Sequence, residues 1–172
     1  VLDDDDRGVS EGIDAGAPLN EVNADGETAL VVAAKRGFSR IVRILLDAGA
    51  NTDTRKAPLF ATALYWAVAR GHIDIALLLI ERGANVSITT AERDGPLLAA
   101  TRHNHTDIAL ALLQAGARLD SVDRFGDTPL LNAVARGNRA VVRALLRAGA
   151  NPNLAHEDDG RTPLLAAVEG GQ

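Results

Sequence analysis

Apolar residues along this chain fall into pairs of short helical stripes that are separated by glycines. The clearest unit covers residues 123–153, where a polar turn leads into an apolar segment at Leu130 and Leu131, and a glycine at position 137 separates it from a second stripe. In the second stripe the apolar residues lie three and four positions apart, which is the spacing of one helix face. The pattern predicts a turn followed by two short helices.

Two landmarks repeat through the chain with the same period. A Gly-Ala pair closes each unit and a leucine opens each first helix, at offsets of 33 or 34 residues. The glycines are Gly16, Gly49, Gly83, Gly116 and Gly149, and the leucines are Leu30, Leu64, Leu97, Leu130 and Leu164. Self-similarity at such a period is typical of stacked repeats, in which each unit buries its apolar face against its neighbours.

The start of each first helix resembles the ankyrin repeat family, whose signature is Thr-Pro-Leu-His-x-Ala. The five copies read TALVVA at 28–33, TALYWA at 62–67, GPLLAA at 95–100, TPLLNA at 128–133 and TPLLAA at 162–167. No copy keeps the family histidine, and the third also loses the threonine. We therefore expect looser hydrogen bonding between turn and helix in the third repeat, without a change of fold.

The resemblance implies an all-α fold, a solenoid of stacked helix-turn-helix units with β-turn or hairpin fingers. We divide the chain, as one domain, into a degenerate N-terminal capping repeat (1–22), four repeats (23–53, 54–87, 88–120 and 121–153) and a partial fifth repeat (154–172). A frayed cut end is the alternative for 1–22, since Gly8 and Gly12 replace apolar residues of the other copies. We interpret the aspartates at positions 3–6 as a solvated face, because the glycine and distal glutamate of a Ca²⁺ loop are missing.

Three repeats depart from the common pattern. Phe60 stands where other fingers have glycine, and we predict that this finger cannot form the usual tight turn with positive φ. Asn104 replaces the inter-helix glycine of repeat three and is expected to keep the left-handed backbone there. Repeat five stops where its second helix should begin, so we expect Leu164, Leu165 and Val168 to be uncovered unless the chain continues or another body covers them.

Composition excludes several classes of function. The net charge of -5 gives no basic footprint for nucleic acid, and the absence of cysteine excludes disulfides and cysteine zinc sites. No apolar run is long enough for membrane insertion. Sixteen arginines against two lysines favour a bacterial source, and the missing initiator Met indicates a chain that was processed or cut from something longer. The compartment stays open between cytoplasmic, periplasmic and secreted.

The sequence contains no catalytic constellation. His72 follows an inter-helix glycine, where the resemblance implies a structural role. His103 and His105 form a His-x-His pair without a third ligand, which is too little for a metal site. His156 lies in an acidic finger and is interpreted as solvated. We therefore predict that the chain is not an enzyme and holds no cofactor and no metal.

Function is then expected to lie on the surface. The resemblance implies that partner proteins contact the finger tips and the exposed side of the first helices, which we call the ledge. Mapped onto this sequence, the predicted contact residues are Lys35, Arg36, Leu59, Phe60, Tyr65, Trp66, Arg70, Asp94, Arg102, His103, Phe125, Asp127 and Arg136.

Charge is separated between these two surfaces. The fingers are mainly acidic, and the ledge is basic in four successive repeats, at Arg36, Arg70, Arg102 and Arg136. One interpretation is a ladder of cations that grips an acidic partner while finger acids such as Asp94 and Asp127 orient it. The other is ordinary solvated charge, with finger-to-ledge pairs that each contribute little.

Trp66 is the only tryptophan and occupies the variable position of its first helix. The resemblance implies that this position faces the concave surface. With Tyr65, Leu59 and Phe60 nearby in sequence, it is a candidate anchor of the kind that dominates binding energy. The alternative is that Trp66 fills a gap above the irregular finger of its own repeat.

The function predicted from these observations is a non-catalytic module that holds a partner protein through its concave face and fingers. The resemblance extends to bacterial ankyrin proteins that act as inhibitors or as immunity proteins against a partner toxin. A targeting or scaffold segment of a longer multidomain protein is the alternative. The partner is expected to present an acidic or mixed-charge surface with an apolar anchor point.

Overall fold

The computed structural model describes residues 6–156 and 158–171 of the chain. Within these residues the regular structure is helical, apart from an isolated antiparallel bridge between Val22 and Thr28. The helices are α1 (Asp6–Asp14), α2 (Ala29–Arg36), α3 (Ser39–Asp47), α4 (Ala63–Arg70), α5 (Ile73–Glu81), α6 (Pro96–Arg102), α7 (Thr106–Gln114), α8 (Pro129–Ala135), α9 (Arg139–Ala148) and α10 (Pro163–Glu169). The predicted all-α class is confirmed.

The chain forms two compact units, Val1–Asn85 and Val86–Gln172. In the N-terminal unit α2 packs on α3 and α4, α4 packs on α5, and α1 packs on α3. In the C-terminal unit α6 packs on α7 and α8, while α8 packs on α9 and α10. Neighbouring first helices and the helices of each pair are therefore in contact within a unit, as stacked repeats require.

The first helices begin at threonine caps wherever the sequence has threonine. The Thr28 Oγ1 accepts the N–H of Val31 at 3.2 Å, and equivalent bonds of 3.2, 3.1 and 3.3 Å form at Thr62, Thr128 and Thr162. Gly95 stands at this position in repeat three and makes no side-chain bond, yet α6 still forms with proline in its first turn. The predicted loss of this bond without a change of fold is confirmed.

Left-handed residues connect the first helix of each pair to the second. Gly37 adopts φ 82°, and a Cβ added there would lie 2.7 Å from Cε1 of the His72 ring, so both conformation and space require glycine. Asn104 takes the equivalent position in repeat three with φ 60°, which confirms that asparagine keeps the backbone path.

The prediction for the finger of repeat two is wrong about φ but right that the turn is not the usual one: the Phe60 N–H donates to a carbonyl four residues back, whereas the Gly26 and Gly126 N–H groups donate three residues back. Phe60 adopts φ 55°, in the left-handed region that was expected to exclude it. The turn is closed by the backbone, because the Phe60 N–H donates to the Lys56 carbonyl at 3.0 Å. The side chain is 41% exposed, so a bulky ring fits outside the turn and the cost is limited to backbone strain.

The buried hydrophobic residues are leucines, valines and isoleucines interspersed with alanines. Leu64, Leu79, Leu98 and Leu112 are completely buried, as are alanines on the packed helix faces. Each buried leucine stabilises its unit by about 2 kcal/mol, and the small alanines let the helix backbones approach closely.

The first and last helices of the described chain differ in how they expose apolar side chains. Helix α1 has no buried residue, whereas α10 exposes Leu164, Leu165 and Val168 by 74%, 47% and 68%, as expected for an uncovered half-repeat. Positions 3–5 of the acidic run lie outside the described residues, as do Glu157 and Gln172 of repeat five.

Candidate functional site

A finger residue and a ledge residue eight positions later form a charged pair in three repeats. The ledge member is always the fifth residue after the leucine that opens the first helix. The pairs are Glu27–Lys35 at 2.7 Å, Asp94–Arg102 at 2.6 Å and, with the signs reversed, Arg161–Glu169 at 4.0 Å. The fingers and the ledge are therefore linked by charge within one repeat.

Arg102 joins two buried carboxylates. Its Nη1 donates to Asp94 Oδ2 and its Nη2 to Asp123 Oδ2, both at 2.6 Å. Asp123 Oδ1 also accepts the backbone N–H groups of Phe125 and Asp127, at 2.8 and 3.1 Å, which closes the finger of repeat four. Burial lowers the pKa of the Arg102 guanidinium, but the hydrogen bonds and charges of Asp94 and Asp123 outweigh it and raise that pKa above the ordinary value.

The predicted ladder of four arginines is not one row. Arg36, Arg70 and Arg136 are the sixth residues after their helix-opening leucines and are exposed, whereas Arg102 is the fifth. One residue is about 100° around a helix, so Arg102 points away from the direction of the other three and aligns with Lys35. His103 takes the exposed position in repeat three. Arg102 is therefore out of register with the other three and is held by Asp94 and Asp123, and its contact with a partner stays a prediction.

Asp94 and Asp127 differ although both end a finger. Asp94 is only 5% exposed and binds Arg102, so the prediction that it orients a partner is corrected. Asp127 is half-buried and forms no ion pair within the described residues. Burial raises the pKa of its carboxyl, and the charge of Asp123 adds to that increase, whereas His156, Arg102 and Arg161 oppose it.

Three other predicted contact residues come together around Trp66 in the N-terminal unit. The Lys35 Nζ lies 4.5 Å from the ring centroid, and the Arg70 Cζ lies 5.7 Å from it. Tyr65 meets the indole edge-on, with ring centroids 5.7 Å apart and an interplanar angle of 71°. Trp66 itself is half-buried rather than part of the core, so one part of the indole is held and another remains accessible.

The other predicted aromatic residues are separate from this cluster. Leu59 is half-buried and Phe60 exposed, and within the described residues no ring contact joins Phe60 to Trp66. Phe125 belongs to the C-terminal unit and is 53% exposed. Arg124 covers its ring at 4.6 Å and also binds Glu92 at 2.6 Å, which links the finger tips of repeats three and four.

The histidines fit structural roles. The rings of His103 and His105 stack with centroids 5.9 Å apart, and burial together with the charge of His103 lowers the pKa of His105. Across 6–156 and 158–171, no three His, Cys, Asp or Glu side chains are arranged to hold a metal ion. Nor does any helix in that part of the chain have the length and hydropathy needed to cross a bilayer.

The predicted contact residues leave out Glu27 and Asp123, which hold Lys35 and Arg102 in place. Glu27 has a sequence signal, because opposite charges eight residues apart recur in repeats one, three and five. Asp123 has none, since it lies 21 residues from Arg102 and only folding brings the two together.

A protein-family model described as ankyrin repeats (3 copies) matches residues 5–90 and 97–172. The matched segments include Trp66, Arg102 and Asp127, whereas Asp94 lies in the gap between them. A comparison with curated proteins gives no significant match.

Proposed function

We propose that this chain, which belongs to the ankyrin repeat family, binds another protein through its finger ends and ledge and catalyses no reaction. Domains of this family are generally protein-binding modules and are typically non-catalytic. Our proposal adds the surface, the chemistry of the partner and the biological use.

The observation that carries the proposal is the half-buried Trp66 with two cations beside its ring. A tryptophan that is held in place yet partly accessible loses little conformational freedom on binding and buries a large area, which is the character of a binding hot spot. The contacts with Lys35 and Arg70 fix the indole. A partner side chain that covers the open part of the ring completes its burial.

Charge around Trp66 supports a partner with acidic residues. Glu27 neutralises Lys35, but Arg36 and Arg70 remain exposed on the same ledge. Acidic groups that surround an apolar anchor on the partner complement this arrangement and accelerate association. The partner is therefore a folded protein or an extended segment with mixed acidic and apolar character.

The absence of catalysis is proposed from the roles that the histidines already have. His72 packs against Gly37, and the rings of His103 and His105 stack on each other. His156 contacts Asp159 at 3.1 Å. We assign no general base, nucleophile, cofactor or metal to this chain.

Inhibition of the bound partner, as an immunity-type protein, is the use that we propose first. A finger placed in a partner's active site blocks it without chemistry of its own. A targeting or scaffold segment of a larger protein is the second candidate. The exposed Leu164 and Val168 of α10 favour it, because a folded neighbour packed on them removes apolar surface from water.

The test begins with capture of partners on the immobilised chain from a lysate of the source organism, followed by titration calorimetry with the purified partner. We expect Trp66→Ala to weaken binding by about 2 kcal/mol, which is about 30-fold. Leu77→Ala is the matched control, because Leu77 is 42% exposed in the same unit but lies on the second helix of its repeat.

The two outcomes for Trp66 are distinct. Reduced affinity with Leu77→Ala unchanged supports the proposed surface. Unchanged affinity combined with lower thermal stability identifies Trp66 as a packing residue and contradicts it. Inhibition of an activity of the captured partner separates the inhibitor from the scaffold.

A further inference from the structure

The finger-to-ledge pair is complete in three repeats and missing or incomplete in the other two. Repeat two has alanine at both positions, Ala61 and Ala69, and so contains no charge to compensate. Repeat four keeps the acid, Asp127, but has Ala135 where repeats one and three have Lys35 and Arg102. Repeat four therefore contains half of a pair.

Asp127 lies in a position that favours a cation. Its neighbour Asp123 is 1% exposed and negatively charged, and Asp127 itself is half-buried. In the equivalent position Glu27 meets a lysine nitrogen at 2.7 Å, and Asp94 meets an arginine nitrogen at 2.6 Å. The same backbone position thus directs a carboxylate toward the ledge in both complete acid-first pairs.

The basic side chains that influence Asp127 each lie near another acid. Arg102 uses Nη1 for Asp94 and Nη2 for Asp123. His156 lies 3.1 Å from Asp159. The Arg161 Nη1 lies 4.0 Å from Oε2 of Glu169, its partner in repeat five, and its buried Nε has no hydrogen-bond partner within the described residues. These charges reduce the increase in the pKa of Asp127 without cancelling it.

The ledge opposite Asp127 has room. Ala135 is exposed and ends at a methyl group, whereas Lys35 and Arg102 extend from the same position to reach their acids. A metal ion does not fit the site, because no three ligating side chains come together in the part of the chain that the structure describes. A long cationic side chain fits the missing half of the pair.

We propose that Asp127 and Ala135 form an open slot that receives a lysine or arginine side chain from the bound protein. This inference rests on the proposed function and adds one specificity element to it. The partner's cation takes the place that Lys35 and Arg102 occupy in repeats one and three. Its charge compensates Asp127, which forms no ion pair within residues 6–156 and 158–171.

The slot itself is tested by filling it from within the chain. Ala135→Arg supplies the missing cation, and we expect the melting temperature to rise by about 1–3 °C. Ala69→Arg is the matched control, since Ala61 offers no acid at the equivalent finger position. The gain is expected to disappear when Ala135→Arg is combined with Asp127→Asn. An equal change in both single variants contradicts the slot.

The partner's side chain is tested with a phage-displayed peptide library selected on the full chain. We expect enriched peptides to carry a lysine or arginine whose replacement by glutamine weakens binding about tenfold. Asp127→Asn and Ala135→Arg are expected to weaken the original peptide to the same extent. The glutamine peptide is expected to be insensitive to both variants, because the interaction is already lost.

The remaining outcomes separate this inference from the proposed function. Peptides that lose affinity with Trp66→Ala but bind Asp127→Asn as tightly as the natural chain overturn the slot and leave the proposed function standing. Failure to select any peptide overturns both. Enrichment of arginine alone or lysine alone decides which cation the slot prefers.

Discussion

Lys35 in the N-terminal unit and Arg102 in the C-terminal unit occupy the same position of their repeats but serve different surroundings. Lys35 binds one carboxylate, Glu27, and lies over the face of Trp66. Arg102 binds two carboxylates, and the side chains of Asp94 and Asp123 are 7% and 1% exposed. The two cations are similarly exposed, at 32% and 27%, but Glu27 is 18% exposed, so the acids that Arg102 holds are the more deeply buried.

From this difference we expect that burial of the acids, more than the number of ion pairs, decides how much each cation contributes to the free energy of unfolding. A pair open to water gains little, because solvent screens it and the side chains lose freedom. When two carboxylates are buried, removal of their cation leaves uncompensated charge in a poorly solvated place. Arginine also suits that site because its planar fork donates to both acids at once.

Arg102→Met is expected to have the largest effect. Loss of the guanidinium leaves Asp94 and Asp123 buried without their cation, and we expect the free energy of unfolding to fall by about 2–3 kcal/mol. Urea denaturation followed by far-UV circular dichroism measures this change. Fluorescence of Trp66, the only tryptophan, reports on the N-terminal unit in the same experiment.

Lys35→Met is the control for that prediction. It removes the equivalent cation from the more exposed pair, and we expect a loss below about 1 kcal/mol. Equal losses in the two variants contradict the claim that burial of the acids separates the two sites.

The contact of Lys35 with Trp66 is expected to have a smaller effect. A double-mutant cycle of Lys35→Met with Trp66→Leu isolates the cation–π interaction, for which we expect a coupling energy of about 0.5–1 kcal/mol. The cycle of Arg70→Met with Trp66→Leu is expected to give a weaker coupling, because 5.7 Å separates that cation from the ring centroid against 4.5 Å for Lys35. A larger coupling energy with Trp66 for Arg70 than for Lys35 contradicts this order.

Asp127→Asn is expected to have the smallest effect, with a definite dependence on pH. Because burial and Asp123 raise the pKa of Asp127, the folded chain binds this proton more tightly than the unfolded chain. Ionisation of Asp127 therefore lowers stability as pH rises through the unfolded pKa of about 3.9, and the loss is complete above the raised pKa.

Chemical denaturation across this pH range measures the effect. We expect Asp127→Asn to be more stable than the natural chain at pH 7, by less than about 1 kcal/mol because solvent screens the exposed side of the group. The advantage disappears below the unfolded pKa. Glu27→Gln, which removes an acid with a lysine partner, is expected to bring no such gain; equal gains contradict the role given to the missing cation.

The helices and their connections could be predicted closely from the sequence. Leucines at a fixed period, with threonine before and glycine after the first helix in every repeat except the third, specify local hydrogen bonds within a few residues. Asn104 followed this rule, and the cap lost at Gly95 was expected. Phe60 did not follow it, because a backbone hydrogen bond to Lys56 closes its turn and the residue type only adds strain.

The candidate site was predicted only in part. The cluster around Trp66 follows from local spacing and helix packing: Tyr65 adjoins Trp66, Arg70 lies four positions later on the same helix, and the packing of α2 on α4 places Lys35 beside the ring. Grouping Arg102 with the exposed arginines was a register error, because a count from the helix-opening leucines places it one position earlier than the other three.

By itself, the sequence determined the period, the helix pairs and the alanine-rich faces that pack together. These follow from local propensity and from apolar spacing, both of which act over short stretches of chain. The tertiary structure decided which charges are buried, which are exposed and which lack a partner. Those properties depend on residues such as Asp123 and Arg102, which lie 21 positions apart and meet only when neighbouring repeats stack.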